Sequence, residues 1–458
     1  MNGTSSRNDT LIRLTAARLK KISTTEVSPQ LKEKTTLAIL DYLGAVASGL
    51  KAPWASQAIK YGRSQQGVRE AHAWGLQEDA SAKTAAYVNA LLAHSAIRDD
   101  MHLKSNSHIG GIVISAALAL AQRDNWSGDQ LLRAVIGGYE AASFIGTAVQ
   151  QSAGYNRHFR PSGICGGFGA AAAAITASNA SEDVAINALA FAANMGSGVN
   201  EWAWAGGVEI YTEMGSASQA GIDAFELAKA GLECSETLLE GRAGLFAALG
   251  ASEGTQLYQE RLQTEIGSGL IDVRFKPVAG CNYAQTPIAV AIWLSQKHDL
   301  SKGIKSVHVD CTSGAKQYPG CDNPGPFSNV QQTKMAIHFG VSTGLLHGKV
   351  SEELFKQYDS QDIANVVSCC TVEAAQDFEQ SFKEGRQPAR VSVTLKDGSV
   401  VKEELPDVPW LDGEAVRARY GEKTAEMLGS DRSRRLADLL GGLGDLKDCS
   451  DIFKFFKG

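Results

Sequence analysis

Arg98-Asp99-Asp100-Met101-His102-Leu103-Lys104-Ser105-Asn106-Ser107-His108 crowds six ionisable side chains into eleven residues. Apolar segments of helical period flank the stretch, over 81–97 and 110–123. Two such helices hold the loop between them partly out of water. There carboxylate and imidazole groups shift their protonation and can do acid–base work at neutral pH. His108 opens the second helix, where the positive end of the dipole disfavours imidazolium and favours a neutral base. Three readings of the loop stay open at this point. It is a solvated charged turn, a metal site built from Asp99, Asp100, His102 and His108, or an acid–base site. The metal reading lacks a further ligand cluster to complete it.

Outward from this loop the period stays helical from about 10 to 265, with segments at 31–50, 163–179, 182–195, 215–231 and 236–249. Ser127 with Gln130 three residues on reads as a capping box before the apolar run from Leu131. No strand is expected in this region. After about 266 the texture changes. Ile304 to Asp310 and Val391 to Leu395 alternate apolar and polar residues as half-buried strands do, and Asp397-Gly398 is a hairpin turn. Helical stretches lie between them near 283–297, 329–347 and 351–358, and the helical period returns from about 411. The expected fold is mostly α: a large all-helical domain, 1–265, completed by 408–458, with a smaller α+β lid over 266–407 inserted between the two parts.

Composition narrows the function. With 44 Lys+Arg against 50 Asp+Glu the net charge is −6, and there is no block of like charge. Nucleic acid and anionic membranes are therefore not the expected partners. The longest apolar runs, 109–121 and 167–177, are shorter than the roughly 18–20 residues that span a bilayer. Eight cysteines without a C-x-x-C pair read as thiols of a reducing compartment. The basic amphipathic stretch 11–22 reads as a first helix, flanked by Asp9 and Glu26, with a mitochondrial presequence as the weaker alternative. A cytoplasmic location follows. The sequons at Asn2 and Asn8 read as chance. Glycine, at 47 residues, is in surplus and concentrates in Ala-rich helical segments, which points to close helix packing.

At the ionisable loop the chain resembles the MmgE/PrpD family, whose members include 2-methylcitrate dehydratase and cis-aconitate decarboxylase. The matching residues are Asn89 to His94, then Asp99-Asp100-Met101-His102, then His108-Ile109-Gly110 opening an Ala-rich helix. Leu40-Asp41 with Gly44, Phe159-Arg160-Pro161-Ser162, Lys276-Pro277 through Cys281, 336–348 and 395–398 extend the likeness over nearly the whole chain. The resemblance implies a helical domain with an α+β lid, pairing into homodimers, a site in the cleft between domains, and neither metal nor organic cofactor.

Departures from the family pattern bear on the substrate. The acidic residue two places before Asp-Asp is Ile97 here, the Thr after it is Met101, and the Lys and His before Gly215 correspond to Ile210 and Glu213. A lid His becomes Gln285, and Asn282 stands where Arg is common. Of that set His108 is retained. A citrate-like substrate carries two or three carboxylates, and burying them without cations costs several kcal/mol each. The expected substrate is therefore an organic acid or carbonyl compound, less anionic and more apolar than citrate. The expected chemistry is proton transfer beside a carbonyl or carboxylate, with His108 as acid–base group and Asp99 or Asp100 orienting it or His102, Asp100 being preferred. Asp99 reads as a structural cap and His94 as a core residue. Arg98, Lys104, Arg160 and Lys276 are the candidate carboxylate contacts. Met101, Ser162, Trp202, Trp204, Ile210, Tyr283 and Gln285 are the further candidate lining. Alternatives are an ordinary dehydratase or decarboxylase with rearranged anion contacts, and a binding protein that has kept the fold without the chemistry.

Overall fold

The computed structural model describes residues 10–65 and 67–456; the sequons beginning at Asn2 and Asn8 thus start outside the described residues. Helices dominate the first half: α1 (Leu11–Thr24), α2 (Pro29–Gly49), α3 (Ala82–His94), α4 (Gly110–Asp124), α5 (Gly128–Gln151), α6 (Pro161–Ser178), α7 (Glu182–Asn194) and α8 (Glu209–Lys229). Helix α1 buries Leu11, Ile12, Leu19 and Ile22 against the rest of the core, as an integral first helix does. Ser127 and Gln130 form the expected reciprocal capping box at the start of α5. The central helices α4, α5 and α6 are buried over almost their entire length, and small residues let them approach closely. A Cβ on Gly169 would lie 2.8 Å from the carbonyl oxygen of Gly138 on the neighbouring helix. No helix among the described residues is long and apolar enough to cross a membrane.

One short strand interrupts this region, against the expectation of none, and its partner lies just beyond it. β1 (Met101–His102) pairs antiparallel with β2 (Val273–Arg274). The ionisable loop is thereby pinned into a tight turn, closed by bonds in both directions between His102 and Ser107 backbones. The expected helix over 236–249 shrinks to Leu245–Ala248. Gly241 and Gly244 close turns here, and the Leu245 and Phe246 amides bond back to the carbonyls of Leu238 and Leu239.

In the second half β3 (Ile304–Cys311), β4 (Cys370–Ala374), β5 (Ala389–Leu395) and β6 (Val400–Leu405) form one mixed sheet of order β4-β3-β5-β6, parallel only between β3 and β4. Strand β4, too short to carry a clear alternation, escaped the sequence reading. Helix α9 (Gln285–Lys297) and helix α10 (Ile337–His347) pack against each other beside this sheet. The expected 329–347 helix breaks at Ala336, whose extended ψ of 121° frees Ile337 N–H to bond the carbonyl of Cys321. Helices α11 (Gly413–Leu428) and α12 (Ser430–Gly441) return to pack on α2. There Arg419 binds Asp41 and the backbone carbonyl of Lys276.

Candidate active site

Two chain segments meet at a small cavity. From the helical half come His94, Ile97, Met101, Asn106, His108, Arg160, Ser162, Trp202 and Ile210; from the second half come Cys281, Asn282, Tyr283, Tyr318 and Met335. Its free volume is about 30 Å³.

Hydrogen bonding fixes the tautomers of the two histidines. Nε2 of His94 lies 2.7 Å from a guanidinium nitrogen of Arg160, which can only donate, so Nε2 accepts. Nδ1 of His94 then carries the proton and donates to Asp99, at 2.9 Å. Nδ1 of His108 lies 2.8 Å from the backbone carbonyl of Asp100 and must donate to it. Its Nε2 is left with the lone pair. Asp99 stands between the rings, 3.6 Å from Nδ1 of His108, and the ring centroids are 4.6 Å apart. Burial is the main force holding both imidazoles well below their ordinary pKa, with nearby Lys276 and Arg160 adding to it; Asp99 partly opposes the shift for His108. Burial raises Asp99, against the pull of His108. The result is a neutral base at the cavity.

Local sequence explains this arrangement. Helix α3 ends at His94, and Ile97 adopts φ = 50°, a left-handed conformation that a β-branched side chain rarely takes. The strained turn is held by its carbonyl, which accepts from Lys276 Nζ at 2.8 Å and from Gly280 N–H at 3.2 Å. Lys334 Nζ likewise holds the carbonyl of Ser95, at 2.7 Å. Burial lowers Lys276 to about 8 and Lys334 to about 7. At the other end of the loop, Ser162 Oγ accepts from the His108 amide. The Asp100 carboxylate caps α4 by accepting from Gly110 N–H, 3.0 Å, and from the Tyr139 hydroxyl, 2.6 Å. Glycine is required at 110, because a Cβ there would sit 2.4 Å from that hydroxyl.

Alternation along β1 separates the expected residues into two sets. Met101 faces the cavity, and His102 points the opposite way into a closed site beside Ser105. His102 is fully buried, burial lowers it to about 3, and its Nε2 has no partner. It stands apart from the His94–Asp99–His108 group. Of the two candidate carboxylates, it is Asp99 that stands between the histidines, while Asp100 caps α4. His94 is the hydrogen-bonded core residue expected, fully buried between Asp99 and Arg160, and it also forms part of the cavity wall.

The cations also sort themselves. Among the described residues Arg160 is the one Lys or Arg that lines the cavity. Its guanidinium serves His94, the Ile210 carbonyl at 2.8 Å and Glu213 at 3.3 Å. Burial raises Glu213, against the pull of Arg160. Arg98 is drawn away to Glu352 at 2.9 Å, half-exposed Lys104 pairs with Asp272, and Lys276 is spent on backbone carbonyls. Gln285 spends its amide on the Val278, Gly280 and Cys281 backbone, so it braces the 278–285 turn without reaching the cavity. Ser162, Trp202, Ile210 and Tyr283 line the cavity as expected, while Trp204 lies outside it in a neighbouring chamber. Tyr211 stacks on Trp54 at 4.5 Å behind His94. Two polar atoms of the lining are buried without partners, Trp202 Nε1 and Asn282 Oδ1. His94, Asp99 and His108 also bring one potential ligand atom each within 4.8 Å of one another. A cation there would meet Arg160 and Lys276 close by, and both histidine Nδ1 atoms carry protons already committed to oxygen acceptors.

Comparison with known proteins covers both halves. The MmgE/PrpD N-terminal domain matches residues 15–257 and the MmgE/PrpD C-terminal domain matches residues 279–429. A cis-aconitate decarboxylase of Aspergillus terreus is 21% identical over 94% of this chain and 93% of its own. The human cis-aconitate decarboxylase is 25% identical, covering 93% of this chain and 90% of its own, and the mouse protein 24%, covering 92% and 88%.

Proposed function

The chain belongs to the MmgE/PrpD family, and from that premise we propose that it is a lyase or isomerase/cyclase working without metal or organic cofactor. It acts by proton transfer beside a carbonyl or carboxylate, on a substrate less anionic and more apolar than citrate. One observation carries this reading: the cavity pairs a neutral His108, Nε2 unprotonated, with a single guanidinium already shared with Glu213.

His108 Nε2 takes a proton from the carbon next to the carbonyl, and Asp99 steadies the imidazolium that forms. Arg160 and the Trp202 N–H face the oxygen on which negative charge develops. The resulting enolate expels a leaving group at the next carbon, is reprotonated elsewhere, or closes a ring. Ser162 and Asn282 orient the polar end of the substrate. A tricarboxylate would leave at least one carboxylate buried without a cation. Citrate, 2-methylcitrate and cis-aconitate are therefore expected to show no turnover, and brisk turnover of any of them overturns the substrate class.

The relatives' names favour a second reading, an ordinary decarboxylase or dehydratase with rearranged anion contacts. It requires turnover of cis-aconitate or 2-methylcitrate that is lost in His108→Ala. The first reading also divides the chain into a helical domain, 1–265 with 408–458, and a lid, 266–407, and pairs two chains in the cytoplasm as a homodimer. Light scattering of the purified protein tests the pairing.

A further inference from the structure

Beyond the inner cavity lies a second chamber of about 520 Å³, and Asn106, Pro161, Tyr283 and Tyr318 wall both spaces. We propose that this outer chamber is a binding subsite for a large, apolar, ring-bearing tail of a carboxylic acid whose reacting end enters the inner cavity. The proposal rests on the substrate class argued above and gives it a shape.

Size separates the two spaces. The inner cavity, about 30 Å³, leaves room for little more than a carboxylate or carbonyl end. The outer one falls in the range that buries most of a drug-sized molecule. Its chemistry is aromatic: Phe159, Trp204 and Phe382 join the two shared tyrosines. Tyr283 is 5.0 Å from Tyr318 and 6.4 Å from Phe382, ring centre to ring centre, so the rings form one continuous wall. Trp204 is 65% exposed, a large apolar surface left to water. Among the described residues no Asp or Glu lines the chamber, and Arg157 is the one Lys or Arg there, beside His158. Gly314 shapes the wall, since a Cβ there would fall 2.3 Å from the Phe382 ring. A small polyanion would meet Arg157 and His158 here but would leave the aromatic wall unused. A ring-bearing tail displaces its water and applies that binding energy to orienting the head beside His108.

Calorimetric titration of the full chain with butyrate and with 4-phenylbutyrate tests the subsite. The aryl acid is expected to bind at least about tenfold more tightly, as burial of a ring's apolar area requires. It should also quench emission that Trp204→Phe removes. Gln317→Trp, at an exposed position on the chamber wall, fills the space. It should reduce 4-phenylbutyrate to the affinity of butyrate while leaving butyrate unchanged. Equal affinity of the two acids for the native protein, or a preference that survives Gln317→Trp, overturns the proposal. Because the readout is binding, His108→Ala protein should keep the preference. A preference without any proton exchange would leave the subsite standing and overturn the proposed chemistry, and proton exchange without a preference would do the reverse.

Discussion

The helical wall of the inner cavity carries His94, His108 and Arg160, whereas the facing wall carries Cys281, Asn282, Tyr283, Tyr318 and Met335. The first wall is ionisable and each of its groups is tied to fixed partners: Asp99, the Asp100 carbonyl, Glu213 and the Ile210 carbonyl. The second has no charged side chain, and its Asn282 Oδ1 is buried without a partner. Ionisable groups taken out of water need fixed partners, so they sit where buried helices can supply them. Neutral side chains are free to follow the shape of a ligand. On the proposed reading, chemistry therefore belongs to one wall and fit to the other.

His108→Ala attacks the first wall and should have the largest effect. Removing a general base costs roughly 10²–10⁴-fold in turnover, with kcat falling and the unfolding midpoint little changed. Asn282→Ala on the facing wall should raise KM and leave kcat in place. Steady-state kinetics on the same acid check both, and a kcat loss of similar size in the two variants would erase the distinction between the walls.

Arg160→Met follows in size. It leaves Glu213 buried without its cation and His94 Nε2 without its donor. Losing one partner of a buried ion pair costs about 3–5 kcal/mol. The double variant Arg160→Met/Glu213→Gln should recover part of that loss, because the stranded charge is gone. Urea unfolding of the four proteins closes the cycle, and strict additivity would show that the pair is not coupled.

Sequence carried the helical frame and the identity of the loop well, because periods of 3.6 residues and an ionisable run between apolar segments are local signals. The β1–β2 pairing was not legible, since two residues at 101–102 meet two at 273–274 and no local pattern foretells them. That pairing decides which way alternate side chains point. Met101 lines the cavity, whereas His102 and Lys104, its neighbours in the run, point elsewhere. Asp99 and Asp100 are neighbours of identical type, and only the packing of Tyr139 and Gly110 assigns Asp100 to capping. His94 ends a helix in sequence, and its link to Arg160, 66 residues away, is a tertiary fact.

Acid should weaken the first wall in a direction set by its histidines. His94 is held below the 6.5 of an unfolded imidazole. Below about pH 6.5 the unfolded chain therefore binds a proton that the folded one does not, and stability falls as pH falls. The slope is at most about 1.4 kcal/mol per pH unit for this residue. His94→Gln keeps a donor for Asp99 and an acceptor for Arg160 while removing the titration. Its unfolding free energy should decline less steeply than the native protein's between pH 6.5 and 5. Parallel declines would mean that His94 is not held neutral.

Asp100→Asn should change least, and its pH dependence runs the other way. Burial raises the Asp100 carboxyl to about 7. Between about pH 3.9, where an unfolded Asp titrates, and pH 7 the folded chain keeps a proton that the unfolded chain has released. Stability contributed by this group is therefore fully present at low pH and is lost as pH rises through that interval. Asparagine is neutral throughout and preserves both contacts, its carbonyl accepting from Gly110 N–H and its amide donating to the Tyr139 oxygen. Near pH 5 the substitution should cost less than about 1 kcal/mol, a neutral-for-neutral exchange in one geometry. Toward pH 8 the variant should overtake the native protein. His108, whose Nδ1 is held by the backbone carbonyl of residue 100 and not by its side chain, should keep its turnover. A large loss of kcat in Asp100→Asn would move the orienting carboxylate from Asp99 back to Asp100.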